Sequence, residues 1–489
     1  MESYQLFTTN YPLNPMLRYF NIIVILLFVH CSFAQKNNGH DIAITIKPYK
    51  NTWVYVGNYY GKFKNLTDSI FLDNNSKGVM KGDSILPQGI YFMVSPAHTL
   101  LFDFLMDAGQ HFSLSADTTQ LSNITITGSE ENNYYSDYSR YINSHSKQIQ
   151  ALEKQLPNAK SQQDSTTIQN NIKQETKGFD AYRTTFVKTH PNSMLATYFQ
   201  AMQRPSTPKI VGTDSLAPFY YVKDHYWDNV DFSDDRILHT PFFEPKLDDY
   251  YKYYVAPSSD SIIKEVNYML LSAREGKEMY RYLLGKFTDK YINPDIMGQD
   301  KVFLFLFNNY FSKGDTTWLT SKQKEFIFNR AYNLMANQIG ETAPTLALKD
   351  TVGTVRTLSD IKAQYTLVLF WDPECSHCKI VVPQIDSIYL AKWKAENVKI
   401  YAVNTAENAA NTWKTFIRDH DIGDWVNVMQ SKEEREADAK NQIPNYRQLY
   451  DVTQTPTLFL LDEQKRIIAK KLTIQQLDNL IDERNKLKK

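Results

Sequence analysis

Two cysteines, Cys375 and Cys378, are separated by two residues in a C-S-H-C segment of this 489-residue chain. This spacing lets both sulfur atoms meet on one helical turn, so the pair can form and break an intramolecular disulfide. A third cysteine, Cys31, lies close to the N-terminus. An apolar run from Leu367 to Trp371 leads into the pair, and a stretch with helical periodicity follows it. This order is typical of a strand that delivers two thiols to the N-terminus of a helix.

Zinc and haem sites also use the C-x-x-C spacing and are the alternatives to dithiol chemistry. A zinc site would need a second pair of ligands at a recognisable spacing, and His377 alone does not supply it. Covalent haem attachment needs a histidine directly after the second cysteine, where Lys379 stands. A peroxiredoxin would carry proline and threonine or serine at the positions of Val368 and Asp372. The sequence therefore favours redox-active thiols, with no metal and no cofactor.

The charge balance argues against nucleic-acid binding. Lys+Arg and Asp+Glu both number 54, so the formal net charge is +0. Without a global positive field, the chain has no general attraction for a phosphate backbone. Its length exceeds what a single hydrophobic core accommodates and predicts about three domains.

Residues 1–34 are predicted to be an export signal. Met16 to Arg18 supply a positive start, Phe20 to Val29 an apolar core, and Ser32 to Ala34 a small-x-small cleavage site. Residues 1–15 contain Glu2 and no basic residue, which is wrong for a signal start, so Met16 is a candidate for the true initiator.

Cleavage of this signal after Ala34 would leave a mature chain that begins at Gln35. The apolar core is too short to span a bilayer comfortably, and the rest of the sequence predicts no transmembrane span. We therefore expect a periplasmic protein, or an outer-membrane-associated one if Cys31 carries a lipid.

Two regions of different periodicity precede the cysteines. Residues 40–130 alternate with period two, as at Ile42, Ile44 and Ile46. They predict a small β-sandwich with strands that include Thr52–Val56, Ser69–Leu72, Gly89–Val94 and Phe112–Ser115. Residues 131–338 have helical spacing and predict an all-helical domain that is rich in aromatic residues.

Residues 339–489 alternate between strand and helix, which predicts an α/β domain whose sheet is covered on both faces. The predicted strands are Tyr365–Trp371, Val398–Val403, Trp425–Met429, Thr457–Leu461 and Arg466–Lys471, followed by a closing helix Thr473–Lys486. The whole chain is thus predicted to be a multidomain α+β protein.

The C-terminal region, residues 339–489, resembles the TlpA/ResA-like branch of thioredoxin-fold proteins, which are exported disulfide oxidoreductases. The resemblance rests on Gly340 with Ala343-Pro344, Phe370-Trp371, the C-S-H-C segment, Pro383 and Thr455-Pro456. It implies a thioredoxin-like fold and a thiol–disulfide oxidoreductase that works in the reducing direction. The two upstream regions look like uncharacterised modules that accompany such domains in Gram-negative envelope proteins, an analogy at the level of the fold.

The resemblance also implies roles for individual residues. Cys375 attacks a partner's disulfide and Cys378 resolves the mixed disulfide. A cis bond at Thr455-Pro456 would lie against the cysteines, and Trp371, Thr455 and Pro456 are expected to contact the substrate. A protonated His377 would stabilise the Cys375 thiolate, whereas Glu374 would oppose it.

Two positions depart from the family pattern. Thioredoxin carries a buried acid where this chain has Leu369, and TlpA-like proteins often carry a glutamate where it has Val381. The usual proton acceptors for the resolving thiol are therefore absent from both positions.

These observations lead to two functional hypotheses. The first is a periplasmic thiol–disulfide oxidoreductase whose partners are protein thiols or disulfides and an upstream electron donor. The second is an envelope protein that binds a partner through its upstream regions and in which the redox domain is accessory. Retention of both cysteines favours the first.

Overall fold

The computed structural model describes residues 39–121, 123–207, 215–407 and 409–487. The chain divides into two compact units, with the boundary between Asp249 and Tyr250. This boundary falls inside the predicted helical domain, and the predicted domain limits at 130 and 338 stay predictions. The predicted export signal, with Met16 and Cys31, lies outside the described residues.

Two four-stranded sheets form the first part of the N-terminal unit. Their orders are β4-β1-β7-β8 and β3-β2-β5-β6. One hydrophobic cluster joins both sheets, with Ile42, Ile44 and Ile46 from one and Val54 and Val56 from the other. The strands are β1 (His40–Lys47), β2 (Thr52–Tyr60), β3 (Phe63–Leu72), β4 (Lys77–Gly82), β5 (Gly89–Val94), β6 (Leu100–Met106), β7 (His111–Asp117) and β8 (Thr125–Thr127).

Strand β5 is buried along its whole length because helices cover the second face of its sheet. Ile90 and Phe92 of β5 share a cluster with Phe186, Leu195 and Phe199. The helices of this unit are α1 (Glu130–Gln155), α2 (Gln162–Thr189), α3 (Met194–Met202) and α4 (Ala217–Asp224), and the unit boundary lies within α5 (Phe243–Tyr253).

The C-terminal unit begins with helices that precede the predicted thioredoxin-like region. They are α6 (Ser259–Ser272), α7 (Lys277–Tyr291), α8 (Asp300–Asn309) and α9 (Ser321–Met335). A seven-stranded sheet follows, in the order β10-β9-β13-β12-β11-β14-β15. Its strands are β9 (Ala347–Asp350), β10 (Val355–Thr357), β11 (Tyr365–Trp371), β12 (Val398–Asn404), β13 (Val426–Met429), β14 (Thr457–Leu461) and β15 (Ile467–Lys470).

Strand β11 is an interior strand of this sheet, between β12 and β14, and it leads to the cysteines. It pairs parallel to β12 and antiparallel to β14, and every one of its residues is buried because both faces carry a hydrophobic cluster. Around the sheet lie α10 (Ser376–Ile388), α11 (Ala410–Asp419), α12 (Lys432–Lys440), α13 (Tyr446–Leu449) and α14 (Ile474–Leu487). The predicted multidomain α+β architecture with a thioredoxin-like C-terminal fold is confirmed.

Among the residues that the structure describes, no helix combines the length and the apolar composition that a membrane span requires.

Candidate active site

The cysteines lie where β11 ends and α10 begins. Cys375 is the N-cap residue of α10, with extended backbone angles. The Asp372 carboxylate accepts a hydrogen bond from the Glu374 N–H at 2.8 Å, and the Asp372 carbonyl accepts one from the Cys375 N–H at 3.2 Å. This turn places the Cys375 sulfur over the first turn of the helix, where backbone N–H groups and the helix dipole favour negative charge.

The two thiols differ in exposure and in acidity. Burial of Cys375 acts to raise its pKa, but hydrogen bonds from the Cys378 backbone, the Thr455 side chain, the Cys378 thiol and the His377 backbone outweigh burial and lower the pKa below its ordinary value. Cys378 is fully buried, and burial is the main cause that raises its pKa to about 12. Both thiols are free. The half-buried Cys375 is therefore the thiol that more readily becomes a nucleophile.

Thr455 lies beside this thiol, as the family resemblance implies. The Cys375 thiol donates a hydrogen bond to the Thr455 carbonyl oxygen, with a sulfur-to-oxygen distance of 3.5 Å. The Thr455-Pro456 bond is cis, which confirms the expected geometry. Antiparallel pairing of β14 with β11 sets Thr457 opposite Phe370, and this register brings the two segments together.

His377 and Glu374 are both exposed. The contribution of His377 to the acidity of Cys375 comes through its backbone N–H, a group that every non-proline residue at that position would supply. The modulating roles of the imidazole and of the Glu374 carboxylate stay predictions.

Trp371 does not have the role that the sequence predicts. Its side chain is fully buried and packs on Phe416 with a ring-centroid distance of 4.9 Å. It shares a hydrophobic cluster with Cys378. A side chain without exposed surface cannot contact a bound chain, so its assignment as a substrate-binding residue is wrong. Trp371 instead forms part of the core beneath the thiols.

The two positions at which the family pattern has an acidic residue, Leu369 and Val381, lie in apolar surroundings. Leu369 is fully buried, and Val381 packs against the same cluster as Cys378. The raised pKa of Cys378 is thus the result of an apolar surrounding.

Asp372 is a site residue that sequence reasoning did not assign to the redox reaction. Besides shaping the turn, its backbone acts to lower the pKa of Cys378 against the effect of burial. The Asp-Pro pair that directly follows an apolar strand was the available signal, since Asp side chains commonly accept backbone hydrogen bonds at such turns.

Within the described residues, no group of three or more His, Cys, Asp or Glu side chains could hold a metal ion.

Comparison with protein families gives two matches. Residues 339–470 match the AhpC/TSA family. The C-terminal region is a thioredoxin-like domain of this family. Residues 157–332 match a domain of unknown function, DUF5106.

The thioredoxin-like domain also has individual relatives. Thiol-disulfide oxidoreductase ResA of Bacillus subtilis (strain 168) is 28% identical over 129 residues, which are 26% of this chain and 64% of that protein. The chain thus spans just under two thirds of this curated relative. The predicted similarity to TlpA/ResA-like thiol–disulfide oxidoreductases is confirmed at the level of the family.

Solved structures are similar to this chain as well. A thioredoxin-like protein from Bacteroides caccae is 19% identical, with 57% of this chain and 97% of that chain covered and a TM-score of 0.44. A domain of a possible thiol-disulfide isomerase from Cytophaga hutchinsonii is 36% identical, with 31% and 95% covered and a TM-score of 0.26.

The unequal thiols predict an order of chemical modification. With limiting iodoacetamide near neutral pH, Cys375 should be alkylated at least about a hundredfold faster than Cys378, because only the thiolate reacts. The rate at Cys375 should rise with pH and level off below the range of an ordinary thiol, since its pKa is lowered. Peptide mass spectrometry of the folded protein measures both rates. Equal rates at the two cysteines, or faster labelling of Cys378, would contradict the assignment.

Proposed function

We propose that this protein is an exported thiol–disulfide oxidoreductase that reduces disulfides in other proteins through Cys375 and Cys378. The observation that carries the proposal is the pairing of a half-buried thiol of lowered pKa with a fully buried thiol of raised pKa. The Thr455 carbonyl lies 3.5 Å from the first sulfur. One thiol is suited to attack from outside, and the second is protected until an internal disulfide forms.

In the first step, the Cys375 thiolate attacks one sulfur of the partner's disulfide. The partner's sulfur–sulfur bond breaks, and its second sulfur leaves as a thiolate that takes a proton from solvent. A mixed disulfide between Cys375 and the partner results. The backbone of Thr455, whose carbonyl lies 3.5 Å from the Cys375 sulfur, then pairs with the bound chain.

In the second step, Cys378 loses its proton and attacks the Cys375 sulfur. The mixed disulfide breaks, the Cys375–Cys378 bond forms, and the partner leaves with its second thiol. The partner has gained two electrons and two protons, which the protein's dithiol has lost. A dithiol electron donor upstream must then reduce the internal disulfide for a second cycle.

Reduction of insulin disulfides tests the proposal directly. The purified protein should accelerate precipitation of the insulin B chain in the presence of a dithiol reductant, and metal analysis of the same sample should find no stoichiometric metal. Turnover at the background rate would refute the proposed activity. Bound zinc that is lost on alkylation of Cys375 would indicate a metal site instead.

Export is the part of the proposal that rests on the N-terminal sequence. We expect envelope-localised protein to begin at Gln35, because Ser32 to Ala34 form a small-x-small site after an apolar core. The intact mass of protein purified from the envelope checks this. A mass that corresponds to a diacylglyceryl-modified Cys31 at the N-terminus would overturn this cleavage site and indicate a membrane-anchored protein.

Partner binding through the N-terminal unit is the second candidate function. It is favoured by an exposed aromatic pair on the neighbouring strands β2 and β3, where Trp53 and Phe71 are 49% and 48% exposed and pack edge to face at 5.4 Å. Aromatic side chains are enriched at the centres of protein interfaces. Replacing both by Ser should weaken capture of an envelope partner without changing insulin reduction, whereas unchanged capture would count against this surface.

A further inference from the structure

The segment that leads to Thr455 contains a buried carboxylate, Asp451, which is 1% exposed. One of its oxygens accepts a hydrogen bond from Nη1 of Arg330 in helix α9. The other accepts one from Nζ of Lys471 at 2.5 Å. Nε of Arg330 also donates to the carbonyl of Ile292, the residue after helix α7, at 3.2 Å. This second hydrogen bond fixes the position of the guanidinium relative to the helices. A buried carboxylate is stable only while its cationic partners remain in place.

A second set of contacts ties the same segment to the helices. Nδ2 of Asn337 donates to the Leu449 carbonyl, at the end of α13, at 2.9 Å. Nζ of Lys470 donates to Asp300 Oδ2 at 2.6 Å and to the Asn337 carbonyl at 2.8 Å. Charged and polar groups from α8, α9 and the residues after α9 therefore hold both α13 and the end of β15.

Hydrogen bonds hold the backbone at both ends of the stretch from Asp451 to Thr455. The Asp451 N–H donates to the Gln448 carbonyl at 3.2 Å, and the Val452 N–H donates to the Arg447 carbonyl at 2.8 Å. The Thr457 hydroxyl donates to the Gln454 carbonyl at 2.6 Å. Asp451 itself has a φ of 49°, which Asp and Asn adopt more readily than other non-glycine residues.

We propose that Arg330 and Asp451 are positioning residues of the redox site: the helical segment holds Thr455 at its place beside Cys375. Arg330 lies outside residues 339–470, the range that matches the thioredoxin-like family. The working redox unit therefore begins upstream of the thioredoxin-like domain. This inference rests on the proposed oxidoreductase function, because Thr455 matters for activity only if Cys375 reacts with a partner.

The contact between Thr455 and Cys375 makes the inference measurable. The Thr455 side chain is one of the groups that lower the pKa of Cys375 against the effect of burial. If Asp451 loses Arg330, its carboxylate is drawn toward water, and Thr455 moves with it. The Cys375 thiolate then loses the hydrogen bond of the Thr455 side chain. A bound partner loses the contact with the Thr455 backbone.

The test compares Arg330→Met with Arg274→Met in the full chain. Arg274 is the control, since it also pairs with an aspartate, Asp315, at 2.7 Å, in the helical part of the same unit. Its pair is the more exposed one, with side chains 52% and 19% exposed, against 11% and 1% for Arg330 and Asp451. For Arg330→Met we expect kcat/KM with insulin to fall on the order of tenfold, mainly through KM. The alkylation profile of Cys375 should shift to higher pH. Arg274→Met should match the wild type in both measurements.

Two further variants keep the test decisive. Asp451→Asn preserves the size of the side chain and is compatible with the positive φ, so it should reproduce the effects of Arg330→Met. The double variant should show little more loss of activity than either single variant, because both changes break the same ion pair. Arg330→Lys restores the charge and should recover part of the activity. A folded Arg330→Met or Asp451→Asn protein with wild-type alkylation and kinetics would overturn the inference. Alkylation of Cys375 does not depend on turnover. If the wild-type protein fails to reduce insulin, the proposed function is refuted. The alkylation profiles of the variants would still test whether Arg330 and Asp451 position Thr455.

Discussion

Replacing Cys375 by Ser is expected to reduce insulin-disulfide turnover by at least about 10³-fold, to the background rate of the reductant, because the hydroxyl cannot form the mixed disulfide. The half-buried position of Cys375 and the small change in size should leave the fold intact. The progress of insulin precipitation measures the loss, and circular dichroism confirms folding. Ser376→Ala, at an exposed neighbour, is the matched control and should keep wild-type turnover.

The companion variant Cys378→Ala separates the two chemical steps. Attack by Cys375 remains possible, but the mixed disulfide cannot be resolved, so a covalent complex with a disulfide-containing partner should accumulate. Non-reducing electrophoresis and intact mass detect it. Undiminished turnover in Cys375→Ser, or a covalent complex that forms equally well without Cys375, would show that another group performs the attack.

Replacing Lys470 by Met should lower the free energy of unfolding of the C-terminal unit by about 3–5 kcal/mol, the usual cost of breaking a buried ion pair. The side chains of Lys470 and Asp300 are 6% and 4% exposed and lie 2.6 Å apart. Without Lys470, Asp300 keeps a hydrogen bond from Gln338 but loses its counter-charge. Urea unfolding followed by tryptophan fluorescence reports on this unit, since it contains most of the chain's seven tryptophans.

The first control changes Lys301, the residue next to Asp300 in helix α8. Lys301→Met breaks an exposed pair with Asp260, whose side chains are 57% and 82% exposed. It should cost less than about 1 kcal/mol, as is typical of surface ion pairs. The double variant Lys470→Met/Asp300→Leu should recover most of the stability, because no buried charge is left without a partner. A loss in Lys470→Met no greater than in Lys301→Met would contradict the prediction.

Several elements of the redox domain could be predicted from the sequence because their signals are local. The strand Tyr365–Trp371 and the strand Thr457–Leu461 are found with the predicted bounds, since each is an apolar run of strand length with turn residues beside it. The cysteine spacing and the Thr455-Pro456 pair were readable for the same reason. The contact between them came from the family resemblance rather than from local pattern.

Weaker local signals were missed. Strand β4 (Lys77–Gly82) contains two glycines and two lysines in six residues. With so few apolar side chains, the alternation of apolar and polar residues that marks a strand cannot be recognised. Strand β6 (Leu100–Met106) is nearly continuous in apolar residues, so its period cannot be distinguished from that of a buried helix. Helix α12 (Lys432–Lys440) has no buried residue and therefore shows no apolar stripe.

The sequence by itself determined the chemistry of this protein: which thiols are available, how far apart they are, and what fold presents them. Tertiary structure alone decided their unequal acidity, since burial of Cys378 and hydrogen bonds to Cys375 come from packing. It also decided that Trp371 is a core residue and that Arg330 meets Asp451 across 121 positions of the chain. Burial and long-range ion pairs depend on which surfaces the folded chain brings together, and no local pattern of residue types records that.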